Sequence, residues 1–308
     1  MALGVVDYVG LVSQRRPNLK PNSAKTYAVS LKTLAPQNAT DHMWMSDIAY
    51  VLAGLERYKE TTRKNTLNAL LVVIEKDSEA FKVFTEERDK YNQRYMEHNK
   101  AHKKTAGQEK NWIAWSDYLS LVRQVGKETQ DLRGQLSDRE RRKLQDYLVL
   151  LLYAHYPLRN DFGDVKIIKK TKYNNLSQSE KDARNYLLVL SQTQMTLILN
   201  EYKTAGKYGT KSIELNDKVI PTVRRWLKHN DSGYLLIDPA HPEQPLGSNG
   251  ITKTLARIGL KHVNKRLGSS LLRHSYLSHK YADVAQEKKK DADLMMHSVA
   301  MAEGYIKS

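Results

Sequence analysis

Apolar positions recur at helical spacing through the first hundred residues. Tyr27, Leu31 and Leu34 follow Pro21-Asn22 as an i, i+4, i+7 stripe. That pattern predicts a helix capped by Asn22 and stopped by Pro36. Ile48, Val51, Leu52 and Leu55 form a second amphipathic segment; Leu67, Leu70, Leu71 and Ile74 form a third. A longer fourth segment runs from about Glu79 to about Lys100 and aligns Phe81, Phe84, Tyr91 and Tyr95. Four such helices predict a compact bundle. Residues 97–111, EHNKAHKKTAGQEKN, then lose the periodicity and gather charge around Gly107, which predicts a hinge or linker. The expected domains are 1–110 and 111–308.

The second part opens with Trp112, Trp115, Leu119 and Val122 at helical spacing. Ser137-Asp138-Arg139-Glu140 has the form of a capping box, and the helix behind it carries Leu144, Tyr147, Leu148, Leu151 and Leu152 until Pro157. The pattern then changes. Strands are expected at Val165–Ile168, Tyr186–Leu190, Met195–Leu199 and Ser212–Leu215, with Ala205-Gly206-Lys207-Tyr208-Gly209 as a hairpin turn. Helical spacing returns at Val219–Leu227, Ile251–Ile258, Ser270–Val284 and Ala292–Met296. The fold class expected is a mainly α bundle followed by an α+β domain, with helices around a small antiparallel sheet.

Charge narrows the function. The 308 residues hold 50 Lys and Arg against 34 Asp and Glu, a formal net charge of +16. Such an excess favours a polyanionic partner, nucleic acid first, although an ordinary basic surface has the same composition. The longest apolar run, Leu148 to Ala154, falls far short of the roughly 20 residues a membrane helix needs. Asp7 breaks the apolar start, so no secretory signal is expected. Cysteine is absent, which excludes disulfides, thiolate metal sites and a cysteine nucleophile and suits a reducing compartment. The cytoplasm, the nucleus and a viral replication compartment are all compatible. The chain has no phosphate-binding loop, no zinc-protease helix motif, no serine elbow and no tight cluster of acidic residues. For a protein acting on DNA, electrostatic catalysis by Arg and Lys with a side-chain nucleophile remains.

The second half contains such a set in order: Arg159 in Pro157-Leu158-Arg159-Asn160-Asp161-Phe162, Lys203 in Tyr202-Lys203-Thr204, Arg273 in Ser270-Leu271-Leu272-Arg273-His274, His297 in Met296-His297-Ser298, and Tyr305. Over about residues 110–308 this order resembles the tyrosine recombinase (phage-type integrase) family, and within it the integrases of large DNA viruses and their mobile elements. The resemblance implies a helical core-binding domain before a catalytic domain. It also implies strand cleavage through a 3′-phosphotyrosyl intermediate, without metal, ATP or other cofactor. Arg159 and Arg273 would clamp the nonbridging phosphate oxygens, since a guanidinium presents a rigid fork where lysine is a point charge. Lys203 would protonate the leaving 5′ oxygen, His297 would bond the same phosphate, and Tyr305 would attack phosphorus. Folding should therefore gather these five groups around one anion. Lys207 and Lys211 compete with Lys203 in the same turn, and each cation taken singly reads equally well as a solvated charge.

Ser270 departs from the family, which carries histidine three residues before this arginine. Serine donates a hydrogen bond but is no acid or base near neutral pH. His274 lies about 100° round the helix from Arg273 and does not replace it. The resemblance further implies double-stranded DNA gripped by both domains, with a homotetramer on paired sites and a monomer when free. Lys207, Lys253, Arg257, Lys261, Lys265 and Arg266 are candidate phosphate contacts. Two rivals remain: DNA relaxation of the type IB topoisomerase kind, and a catalytically inactive DNA-binding relative.

Overall fold

The structure, a computed structural model, describes residues 7–37, 39–100 and 103–305. The chain divides into two compact units, Met1–Lys103 and Lys104–Ser308. The first unit is helical: α1 (Tyr8–Arg15), α2 (Pro21–Leu34), a 3-10 turn (Met43–Ser46), α3 (Ile48–Leu55), α4 (Glu60–Val73) and α5 (Glu79–Lys100). Val12, Leu31, Leu34, Val51, Leu67, Leu70 and Phe84 are buried at its centre. The periodic stripes therefore mark the packed faces, apart from Tyr95, which stays exposed with the Lys64 ammonium 4.3 Å from its ring centre. Helix α1 was not expected; Asp7 caps it by accepting from the Gly10 amide at 2.9 Å. Asn22 is not the cap of α2. Proline at the first helical position places Lys20 there instead.

The second unit begins earlier than the composition suggested. The expected linker is helical at both ends, because α5 runs to Lys100 and α6 (Ala106–Asn111) follows. Thr105 and Gln108 close a capping box that starts α6 without any apolar stripe. Helix α7 (Trp115–Lys127) buries Trp115, Tyr118, Leu121, Val122 and Val125. Helix α8 (Asp138–His155) starts at the Ser137–Glu140 capping box and runs through the centre of the core.

The sheet comprises β1 (Lys166–Lys169), β2 (Tyr186–Val189), β3 (Met195–Leu199) and β4 (Lys211–Glu214), in that spatial order. It is mixed, not antiparallel. Helices α9 (Lys170–Asn174) and α10 (Gln178–Asp182) carry the chain back so that β1 and β2 run parallel, with Ile167 opposite Leu187. The other two pairings are antiparallel. Residues 205–209 form no tight hairpin turn. A single helical turn, α11 (Ala205–Tyr208), joins β3 to β4 and ends at Gly209, whose φ of 63° suits glycine.

Helices α12 (Ile220–Leu227), α13 (Gly247–Val263), α14 (Ser269–Leu294) and α15 (Val299–Gly304) complete the unit. The two segments expected at Ser270–Val284 and Ala292–Met296 are one continuous helix, since nothing between them breaks it: the stretch is rich in Ala, Gln, Glu and Lys, all good helix formers. Among the described residues no helix is long and apolar enough to cross a membrane.

Two packing details fasten α13 to its neighbours. Gly163 meets the backbone of Gly247 so closely that a Cβ would stand 2.5 Å from its carbonyl carbon and 2.8 Å from the Ser248 nitrogen. The Gly247 amide donates to the Gly163 carbonyl at 3.0 Å across this approach. Arg257, expected on DNA, instead reaches inward to the carboxylate of Asp146 at 2.5 Å. Asp146 is largely buried, and burial raises its pKa while Arg257 opposes the rise.

Gly163→Ala should lower stability by about 1–3 kcal/mol in urea melts, because backbone on the other side cannot give way. Arg257→Ala should cost a similar or larger amount, about 3 kcal/mol, by stranding a buried carboxylate. The double variant Arg257→Met/Asp146→Leu should recover most of that loss in the same melts.

Candidate active site

The segment after α8 presents Arg159. Its course is set from beneath: the buried hydroxyl of Tyr153 donates to the Arg159 carbonyl at 2.7 Å. The ring of Tyr153 is held edge-to-face by Phe162, with centroids 5.4 Å apart. The Asn160 side chain donates to the Ser248 carbonyl at 3.0 Å and to the Thr252 hydroxyl at 2.9 Å, fastening the segment to α13.

Arg273 comes to the same place from α14. The first turns of α14 are anchored by buried Leu272 and by Ser275, whose hydroxyl donates to the Ile113 carbonyl at 2.7 Å. Tyr276 adds an edge-on contact with Trp115 at 5.1 Å. With those positions facing inward, Arg273 points to the next sector of the helix, where it comes within electrostatic range of Arg159, Asp161 and Tyr153. Burial, and then the Arg159 charge, lower its pKa from the usual arginine value. Burial raises the Asp161 carboxyl, against the pull of Arg159 and Arg273. Burial also raises the Tyr153 phenol, keeping it a neutral donor. Neither arginine forms an ion pair with a described residue, and the Arg273 Nε–H is buried with no hydrogen-bond partner. Two guanidiniums and an orphaned N–H are what an anion would satisfy.

Lys203 is exposed in the turn before α11. Asn185 ties that turn to the Arg159 segment. Its side-chain oxygen accepts from the Asn200 and Glu201 amides at 2.9 and 2.8 Å, and its amide donates to the Glu201 carbonyl at 2.9 Å and the Asp161 carbonyl at 3.4 Å. Lys203 and Arg159 thus stand on two segments bonded to one buried side chain. Ser270 is exposed in the first turn of α14 and His274 is exposed beside Arg273.

His297 and Tyr305 form a separate group. Helix α14 ends in a left-handed turn: Met296 has φ 57°, its amide donates to Asp293 at 3.1 Å, and the His297 amide donates to Ala292 at 2.9 Å. Ser298 then caps α15 through the Met301 amide at 3.2 Å. The imidazole of His297 stacks on the Tyr305 ring at 5.5 Å with planes 12° apart, and its Nδ1 is buried without a partner. The chain therefore does not gather all five groups around one point. It brings Arg159 and Arg273 together, places Lys203 on a tethered neighbouring turn, and sets His297 with Tyr305 beyond the far end of α14.

The proposed phosphate contacts also divide. Lys207, Lys253 and Arg266 are exposed; Lys207 lies 5.2 Å from the exposed ring of Tyr208. Lys265 turns its ammonium onto the Trp112 carbonyl, and Lys261 stands 3.9 Å from Glu128. Tyr153, Asn160, Asp161 and Asn185 escaped the sequence reading. A tyrosine inside the longest apolar run was the one available signal, since its buried hydroxyl needs a partner. No family model matches the chain, and no curated protein matches it.

Proposed function

We propose that the protein cleaves and rejoins DNA strands as a site-specific recombinase of the tyrosine type. The observation that carries this reading is the pairing of Arg159 with Arg273, from distant parts of the chain, with no carboxylate of a described residue in an ion pair with either. A phosphodiester supplies the missing negative charge, and its transition state places more of it on the nonbridging oxygens the guanidiniums face. The Tyr305 oxygen forms a bond to phosphorus while the bond from phosphorus to the 5′ oxygen breaks. The phenolic proton passes to water and Lys203 protonates the departing 5′ oxygen. One phosphodiester is exchanged for another, so rejoining needs no further energy source. The +16 net charge and the exposed Lys207, Lys253 and Arg266 supply the sequence-independent grip.

Ser270, at the position where the family carries histidine, favours one rival, a DNA-binding relative without cleavage. Incubation with nicked duplexes of random sequence separates the two by whether covalent protein–DNA adducts accumulate. Strand exchange between two duplexes, rather than relaxation of a supercoiled plasmid alone, separates recombination from topoisomerase action.

Tyr305→Phe should abolish adducts while leaving the affinity for duplex DNA within about twofold, because a lone hydroxyl contributes little to phosphate binding. Arg159→Ala and Arg273→Ala should each slow single-turnover cleavage by about 10²–10³-fold. Adducts persisting in Tyr305→Phe would remove the nucleophile from this reading.

A further inference from the structure

Side chains alternate across the strands of the sheet, so its two faces bury different residues. Leu187, Leu197 and Leu199 belong to the main core of the second unit. Ile168, Tyr186, Leu188 and Ile198 form a small apolar cluster of their own on the other face. The connection between parallel strands usually lays the apolar stripe of a helix on such a face. Here the connection consists of α9 and α10, five residues each, and neither buries a side chain. Tyr173 and Leu176 reach the cluster from it, Tyr173 edge-on to Tyr186 with centroids 5.3 Å apart. Polar bonds hold the connection in place. The Tyr186 hydroxyl donates to the Glu180 carbonyl at 2.7 Å, and the Asn200 side-chain amide donates to the Lys181 and Arg184 carbonyls at 2.8 and 3.0 Å. A cavity of about 600 Å³ is left between the connection and strands β1 and β2. That volume lies in the range of sites that take a ligand.

The cavity has a basic rim. Lys166 and Lys169 of β1, Lys172 of α9 and Arg184 before β2 line it, and all four are exposed. None of them is in an ion pair with a described residue. The carboxylate on the rim, Glu180, is already engaged in the cap of α10, where it accepts from the Ser177 amide and hydroxyl at 2.9 and 2.7 Å. An apolar cavity ringed by unpaired cations fits an occupant with both apolar groups and negative charge. The spacing of the cations decides which occupant. Lys166 and Lys169 stand about 10 Å apart at the rise of a strand, and Lys172 and Arg184 lie on other segments, so the charge is spread around the opening. A single anionic head group would answer one or two of the four. The phosphates of a duplex would answer several and leave the cavity empty. A peptide with an apolar side chain between acidic residues answers both, because the side chain fills the cavity while its neighbours meet the cations.

We propose that this face of the sheet is a docking site for a short acidic segment of another protein, anchored by an aromatic or aliphatic side chain in the cavity against Ile168 and Tyr186. The inference is independent of the strand-transfer reading; it rests on the cavity and the charges around it.

The test pans a random peptide library displayed on phage against the full chain and, in parallel, against Ala183→Trp, which places an indole in the cavity from its exposed wall. Peptides enriched on the wild type should carry Asp or Glu on both sides of an apolar residue. A synthetic peptide of that consensus should lose about tenfold in affinity for Ala183→Trp. It should lose a similar factor for the double variant Lys169→Glu/Lys172→Glu, with a weaker dependence on salt. All three positions are exposed, and thermal melts that match the wild type establish that the variants fold; if the tryptophan variant does not, the charge variant serves in its place. No enrichment over the variant, or a consensus without acidic residues, overturns the proposal. A wild type that sediments as a dimer beside a monomeric Ala183→Trp also overturns it, since the occupant is then a second copy. Failure to select any peptide, together with a loss of duplex affinity in Lys169→Glu/Lys172→Glu, assigns the cations to DNA and overturns it as well.

Discussion

Two guanidiniums cannot be held side by side without work. The Arg159 charge acts on Arg273 and repels it, and no described carboxylate is ion-paired with either Arg159 or Arg273 to cancel that repulsion. The second unit is arranged around that constraint. Tyr153 fixes the Arg159 carbonyl from inside the core, Asn160 ties the segment to α13, and Gly163 lets the backbones meet within contact distance. On the other side, Ser275 and Leu272 lock the start of α14 so that Arg273 has little freedom to turn away. Asp161 stands close enough to temper the repulsion, yet burial raises its pKa and so weakens it as a counter-ion. A binding site for an anion is pre-organised when the cost of assembling its cations is met by folding rather than by the ligand.

Much of this was legible in residue pattern. Periodicity located nearly every helix of the first unit, and the Ser137–Glu140 capping box marked the start of α8. Strand β3 was found with its boundaries, and the others to within one residue at each end. Those signals are local, so one sequence carries them. The parallel pairing of β1 with β2 was not local. It depends on α9 and α10, which have no buried residues and hence no stripe to read. The run of charge at 97–111 was read as loop although Thr105 and Gln108 close a cap inside it, a case in which hydrogen bonding outweighs the lack of an apolar face. The contacts that hold Arg159 in place were invisible for the same reason as the parallel strand: Asn185 acts by bonding segments distant in sequence.

The site residues were found by order along the chain, and order says nothing about distance. A break between Val284 and Ala292 would have allowed the chain to fold His297 and Tyr305 back toward Arg273. The intervening sequence contains no glycine or proline that would enforce one, Asp291 sits inside the helix rather than capping a new one, and the helix continues. Its stop falls at Met296, a residue that adopts the left-handed conformation at a cost of about 1 kcal/mol relative to glycine. No glycine announced the turn, so the sequence pattern placed the end of the helix in the wrong register with the chemistry beyond it.

That stop also bears on how the end of α14 behaves. Methionine at φ 57° is tolerable because two backbone hydrogen bonds and the Ser298 cap surround it, and the Lys288–Glu303 pair and the His297–Tyr305 stack close α15 against α14. Each contact is weak singly: an exposed ion pair contributes about 0–1 kcal/mol and a ring stack about 0.5–1.5 kcal/mol. Together they make a small unit whose order does not depend on the body of the domain. Within such a unit the Tyr305 ring keeps its place on the His297 imidazole without support from the rest of the domain. The arginine pair imposes the opposite condition, because it is built into the core and cannot travel. The two groups are thus held by different parts of the fold: the arginine pair by the body of the second unit, and the Tyr305 phenol by the end of α14 and α15.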